Sequence, residues 1–164
     1  MVSEAIYKFF QALYDEETKR FAELDSRARL YFSIASLYIG AIAFKFDDVL
    51  KLVARVNVPP VFIIVDGAFF IVAVLFCVVA MQLRRYEGIA NPYDVLETLQ
   101  AENTPTEGEF FKARVVDYSV AAKHNSRINN RIAIWLAVSG FSILCGVAGQ
   151  VLMFVYIAVR QIGA

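Results

Sequence analysis

Three long apolar runs alternate with charged segments along this chain of 164 residues. The first run, 30–46, contains Lys45, the second, 61–81, contains Asp66, and the third, 132–159, carries no charge. A helix rises 1.5 Å per residue and the hydrocarbon layer is about 30 Å thick, so about 20 residues are needed to cross it. The second and third runs exceed this length, and the first requires charged flanking side chains that reach the membrane surface. The pattern predicts an all-α membrane protein with three transmembrane helices.

The charged segments before the first and third spans also have helical patterns. Residues 4–29 place Ile6, Phe9, Phe10 and Leu13 at the spacing of an amphipathic helix. The sequence TPTE at 104–107 has a capping Thr, a Pro at the first helical position and a Glu that completes a capping box. Each segment would form a helix of about 40 Å that leads directly into a span. We expect the two to pack together, parallel or antiparallel.

The chain is therefore predicted to be a single helical membrane domain, 1–164, with long cytoplasmic helical extensions before the first and third spans. The expected segments are a cytoplasmic amphipathic helix at 4–29, span 1 at 30–48, span 2 at 61–82, a cytoplasmic helical segment at 83–131 and span 3 at 132–159. Residues 47–60 are expected to form an interfacial turn of helix that ends at Pro59-Pro60, and Asn91-Pro92 is expected to start a short cytoplasmic helix.

Composition and charge place the chain in a membrane and orient it. Hydrophobic residues make up 59% of the sequence, above the usual share of a soluble domain. Lys and Arg number five in 1–29 and seven in 82–131, but only two in 47–60. The positive-inside rule then predicts a multi-pass bacterial inner-membrane protein with a cytoplasmic N-terminus and an external C-terminus. The six acidic residues before the first run argue against a secretory signal peptide.

The sequence shows no pattern typical of catalysis, metal binding, a cofactor or nucleic-acid binding, and we expect a protein that is not an enzyme. A single histidine, His124, does not make a metal site. Cys77 and Cys145 both lie in predicted spans, where a cysteine is most simply a small apolar residue.

Three polar residues within the spans are the candidate site. Counting from the outer ends places Asp66, Lys45 and Gln150 at similar depth. An ionisable group in hydrocarbon costs several kcal/mol unless it faces protein or water. One interpretation is that Asp66 faces the bundle or an oligomer axis, with Lys45, Gln150 or both as partners, and lines a cation-selective pore. The alternative is a carboxylate close enough to the surface to be wetted or to form one structural salt bridge.

Small residues in the third span form a second signal. Residues with little or no side chain at helical spacing let transmembrane helices approach closely and associate. They explain either self-association or packing within one chain. The candidate helix-packing residues are Gly140, Ser142, Cys145, Gly146 and Gly149.

Two stretches resemble a known group of bacterial proteins. RFAELDSRARLYFSIASLYIGAIAF and VVDYSVAAKHNSRINNRIAIWLAVSGFSIL are similar to the first and returning membrane helices of small effectors from nucleotide-signalling antiphage systems, the SLATT and Pycsar transmembrane-effector type. The resemblance covers about a third of the chain. It implies a protein that oligomerises and permeabilises the inner membrane when infection is signalled. Many members carry a fused nucleotide-sensing domain, which this sequence does not show.

The sequence thus leads to a functional hypothesis with alternatives. We expect an oligomeric inner-membrane effector that forms a pore or disrupts the membrane when it is triggered through its cytoplasmic helices, in antiphage defence. Its expected partners are the lipid bilayer, further copies of the chain and a cytoplasmic protein, with no nucleic acid. The principal alternative is a non-conducting anchor or assembly subunit for a soluble partner. A small transporter is a third, and it lacks an inverted repeat.

Overall fold

A computed structural model describes residues 3–56, 59–83 and 107–162 of the chain, and the secondary structure in these ranges is helical. Four helices follow one another: α1 at Glu4–Phe44, α2 at Phe46–Val56, α3 at Pro60–Gln82 and α4 at Glu107–Ile162. The prediction of an all-α protein is confirmed for this part of the chain. The expected caps at Asn91-Pro92 and at 104–106 lie outside the described residues.

The helix boundaries follow from local sequence. The charged and apolar parts of α1 form one continuous helix because no Pro interrupts them. This helix ends beside Lys45, whose amide donates to the carbonyls of both Ala41 and Ile42 at 3.2 and 3.1 Å. Helix α2 begins at the next residue. Helix α3 begins with Pro60, which suits the first position of a helix because that position needs no amide donor.

Two of the described helices are long and apolar enough to cross a membrane. The first is Val61–Gln82, with a mean hydropathy of 2.9, and the second lies within Gly108–Arg160, with a value of 2.1. The predicted first span, 30–48, is not one of them. The reason is the break at Lys45, which leaves an apolar stretch of about 15 residues, or roughly 22 Å, in α1. By length and hydropathy, the described helices thus include two candidate spans and not the three predicted.

Buried residues recur every three or four positions along the long helices. This spacing of 3.5 residues on average is typical of helices packed as left-handed coiled coils. In α4 the buried stripe comprises Asn125, Asn129, Ile132, Leu136, Ser139, Ile143 and Gly146. In α3 it comprises Asp66, Phe70, Ala73, Cys77 and Ala80. Several polar residues thus occupy positions that usually hold apolar side chains.

The chain divides into two compact units. Unit 1 comprises Met1–Leu24 and Leu83–Arg131, and unit 2 comprises Asp25–Gln82 and Ile132–Ala164. The long helices α1 and α4 contribute residues to both units.

Unit 1 contains a parallel pair of helical segments from α1 and α4. The ring of Tyr7 packs against that of Phe111, with 5.3 Å between centroids, and Tyr14 packs against Tyr118 at 5.7 Å. Residue numbers increase together along both segments, so the expected pairing is present in its parallel form. The packing face of α1 carries the tyrosines, whereas Phe9 is 64% exposed.

Unit 2 is a bundle of three helical segments. Its core consists of Ala35 from α1, Phe70 and Ala73 from α3, and Ile143 from α4. Small residues on α1 and α3 allow close approach, and the Phe70 ring fills the space between the helices. Helix α3 runs antiparallel to the other two segments. The short helix α2 joins this bundle through Val49, which packs against Ile157.

Candidate functional site

Asp66 is a buried carboxylate within unit 2. Its residue surface is only 7% exposed, although it lies on one of the two helices that can span a membrane. The Tyr38 hydroxyl donates a hydrogen bond to Asp66 Oδ2 at 2.9 Å. The other oxygen, Oδ1, is buried and has no hydrogen-bond partner. An acceptor left in this state forfeits its hydration and costs about 1–3 kcal/mol.

The packing of α3 against α1 positions Asp66 and its hydrogen-bond donor Tyr38. Asp66 and Phe70 occupy successive positions of the buried stripe of α3, one helical turn apart. Tyr38 lies on the facing side of α1, and its ring stacks on that of Phe70 with 3.7 Å between centroids. This stacking holds the phenol in place, and its hydroxyl therefore reaches the carboxylate.

Gly149 on α4 makes room for the carboxylate. A Cβ added at this position would lie 3.0 Å from Asp66 Oδ1. Any larger residue would compete with the carboxylate for the same space. The predicted packing residue and the predicted intramembrane acid therefore belong to one site.

A cavity of about 320 Å³ opens beside this site, between α3 and α4. Asp66 is the one charged residue among those that line it, and the other lining side chains are mainly apolar. We call it the Asp66 cavity. It is lined by Pro59, Phe62, Val65, Asp66, Phe69, Gly149, Leu152, Met153 and Tyr156.

Lys45 and Gln150, the other two predicted polar residues, are not the hydrogen-bond partners of Asp66. The Lys45 ammonium lies 3.3 Å from the Asp48 carboxylate, and both side chains are mostly exposed. The break after α1 places Lys45 three residues before an acid in the first turn of α2, so a local ion pair replaces the expected pairing with Asp66. Gln150 is half-buried on α4 beside Gly149, and the hydrogen bond to Asp66 comes from Tyr38 instead.

The glycines of the third span lie against side chains from other helices of the same chain. A Cβ at Gly146 would lie 2.8 Å from Phe70 Cζ, and a Cβ at Gly140 would lie 3.1 Å from Tyr31 Cε2. Ser142 is buried and donates to the carbonyl of Val138 at 2.9 Å. Cys145 is half-buried with a free thiol. These contacts favour packing within the chain as the role of the glycines.

A buried polar contact between α3 and α4 was not predicted. The Ser139 hydroxyl donates to the carbonyl of Ala73 at 3.0 Å and also lies 3.0 Å from the Cys77 sulfur. Because the hydroxyl proton is used for Ala73, the thiol is the donor in the second contact. Cys77 thus packs as a small side chain, as predicted, and also makes a polar bond. The 3.5-residue spacing from Asn125 to Ser139 was the signal that could have revealed it.

Unit 1 contains a second buried polar group, also missed by sequence reasoning. The Asn129 side-chain amide donates to the carbonyl oxygen of Glu17 at 2.9 Å and to its carboxylate at 2.7 Å. Arg20 lies 3.7 Å from the same carboxylate and donates to Asn130 Oδ1 at 2.8 Å. Asn129 Oδ1 is buried without a hydrogen-bond partner. These polar contacts define the pairing of α1 with α4 in this unit.

Within the described ranges, no group of three or more His, Cys, Asp or Glu side chains is placed to hold a metal ion. His124 is exposed on α4. Comparison with known protein families, curated proteins and solved structures finds no match for this chain.

Proposed function

We propose that this protein is an oligomeric inner-membrane effector that opens a pore or disrupts the membrane when a partner acts on its cytoplasmic helices. The observation that carries the proposal is the buried Asp66 carboxylate with one oxygen left unpartnered. Ionisable residues in membrane helices are costly, and they commonly mark ion pathways or relays. A site made only for stability has no need of an unpaired carboxylate oxygen.

The proposed topology has α3 and α4 crossing the membrane, with the apolar end of α1 as a short third span. Apolar side chains on α3 and α4 are well exposed, for example Ile64 and Leu152 at 69% each, which suits contact with lipid. The shortfall of about 8 Å in α1 would be met by Arg27 and Arg29, which extend to the inner surface, and by α2 at the outer interface. The N-terminus is then cytoplasmic and the C-terminus external.

The polar contacts of unit 1 suggest how a trigger acts. A buried Asn in a coiled coil defines the register of the helices at a cost in stability. A partner that displaces the Asn129–Glu17 contact would release that register in α1 and α4, both of which continue into unit 2. The resemblance to antiphage effectors supports such a role, with a separate protein as the sensor.

Regulated expression in bacteria with a potential-sensitive dye tests the proposal. We expect the wild-type protein to depolarise cells and slow growth, and Asp66→Ala to change the depolarisation. Asp48→Ala is the matched control, because Asp48 is also acidic but its side chain is 65% exposed. Expression that leaves membrane potential and growth unchanged in every condition, including phage infection, would contradict the proposal.

A second candidate function is a non-conducting anchor or assembly subunit. It is favoured by exposed apolar side chains in unit 1, outside the apolar stretches: Phe9 at 64%, Val116 at 54% and Val120 at 55%. Such side chains suit a protein partner. This candidate predicts that charged substitutions at these positions abolish function and that Asp66→Asn is silent.

A further inference from the structure

The geometry points to the Asp66 cavity as a binding site for a small organic amine. We infer that the apolar body of the ligand lies between α3 and α4 and that its ammonium group donates a hydrogen bond to Asp66 Oδ1. The inference goes beyond the proposed function, because binding of this kind requires no ion conduction.

The first argument is the unpartnered acceptor. Tyr38 satisfies Oδ2, while Oδ1 is buried and faces Gly149 on the cavity wall. Gly149 has no side chain that would separate the carboxylate from the cavity. The terminal torsion of an Asp side chain is soft, so a small rotation turns Oδ1 towards a ligand. A donor in the cavity would then remove the cost of the unpaired oxygen.

The second argument is the chemistry of the walls. Phe62, Phe69 and Tyr156 contribute aromatic rings, which attract cations through their faces. Ca²⁺ takes six to eight oxygen ligands, far more than this mainly apolar lining supplies, so a hard metal ion fits poorly. An anion would be repelled by the negative charge of the carboxylate. A protonated amine on an apolar body matches the carboxylate, the rings and the aliphatic walls together. The cavity volume is at the lower end of small-molecule sites.

The depth of Asp66 favours a free amine over a lipid headgroup. Asp66 lies six residues into α3, which spans 23 residues, so it is about 7–8 Å from the middle of that helix. The hydrocarbon layer extends about 15 Å from its middle on each side. A headgroup ammonium stays outside this layer, whereas a small membrane-permeant amine partitions into it. We therefore assign the cavity to a free amine of about the size of a substituted benzylamine.

Fluorine NMR on the full chain in nanodiscs tests the inference. The probe is 4-(trifluoromethyl)benzylamine, and 4-(trifluoromethyl)benzyl alcohol is the matched neutral molecule, with empty nanodiscs to correct for partitioning. A charge-assisted hydrogen bond is stronger than a neutral one by about 1–1.5 kcal/mol, which corresponds to about tenfold tighter binding of the amine. Asp66→Asn should reduce the affinity for the amine to that for the alcohol. Asp48→Asn, at an exposed acid, should leave both unchanged.

A second variant distinguishes a loss of amine binding from misfolding of the Asp66→Asn protein. Gly149→Ala keeps every charge and places a methyl group 3.0 Å from Oδ1, so it should weaken amine binding by blocking the approach. Equal affinity of the amine and the alcohol would overturn the inference, and so would amine binding that Asp66→Asn leaves intact. Cross-linking between copies through Leu152→Cys, without amine binding, would assign the cavity to self-association and also overturn it. Each readout is independent of membrane potential, so this test and that of the proposed function fail separately.

Discussion

Replacing Gly146 by alanine tests whether unit 2 depends on close helix packing. The new Cβ would lie 2.8 and 2.9 Å from two ring atoms of Phe70, Cζ and Cδ2, which is closer than real contacts of this kind. Phe70 is 1% exposed and stacked on Tyr38 at 3.7 Å, so its ring has little room to move. Overpacking a tight core costs about 1–3 kcal/mol, and the expected cost here is at the upper end. The higher helix propensity of Ala than of Gly offsets about 1 kcal/mol of this cost.

We therefore expect Gly146→Ala to lower the free energy of unfolding by about 2 kcal/mol. The assay is unfolding of the purified protein in detergent, followed by circular dichroism. Gly40→Ala is the matched control, because nothing lies within 4 Å of its added Cβ. It should gain up to about 1 kcal/mol from helix propensity alone.

A double-mutant cycle identifies the ring as the cause. In a Phe70→Ala background the added methyl group no longer meets the ring, so Gly146→Ala should then gain up to about 1 kcal/mol from helix propensity, as Gly40→Ala does. The reasoning is refuted if Gly146→Ala is as stable as the wild type, or if the penalty persists at full size without the Phe70 ring.

Three further changes probe the buried polar contacts by unfolding in detergent. Tyr38→Phe removes the donor to the buried carboxylate and should cost about 1–2 kcal/mol, whereas Tyr156→Phe, which removes only the acceptor of an exposed bond from Arg160, should cost less than about 0.5 kcal/mol. Ser139→Ala should cost about 0.6 kcal/mol, a typical value for a polar bond between membrane helices, and an unchanged midpoint would count against that bond. Asn129→Leu removes the amide that donates to the carbonyl and the carboxylate of Glu17, whose side chain is 14% exposed, and should lower the unfolding temperature. It should also loosen the register of α1 against α4, detected as additional disulfide cross-links between introduced cysteines; an unchanged unfolding temperature would contradict this.

The first span shows that the length of an apolar run in the sequence does not by itself predict the length of the apolar helix. The apolar run in the sequence continues past Lys45 to Phe46, but the helix ends at Phe44. A count of apolar residues does not show where a helix is interrupted. No Pro marks the interruption either, because Lys45 and its neighbours include none. Helices α3 and α4 were predicted more accurately because their apolar stretches exceed the membrane thickness on their own.

The candidate site was predicted in part. Asp66 stands out in any reading of the sequence as an acid in an apolar run, and Gly149 as one of several small residues. Tyr38 was missed because an aromatic residue in an apolar segment is ordinarily a packing or interfacial residue. Its role depends on the stacking with Phe70, which joins residues 32 positions apart.

The sequence by itself determined the helical class, the apolar character of α3 and α4, and the presence of a carboxylate where one is costly. These properties follow from local composition and periodicity, which act within a few turns of a helix. Only the tertiary structure decided the partners: Tyr38 and Gly149 at Asp66, Cys77 and Ala73 at Ser139, and Glu17 at Asn129. Pairing depends on the register between helices distant in sequence. A shift of one residue turns a helix by about 100°, so every one of these contacts would be lost.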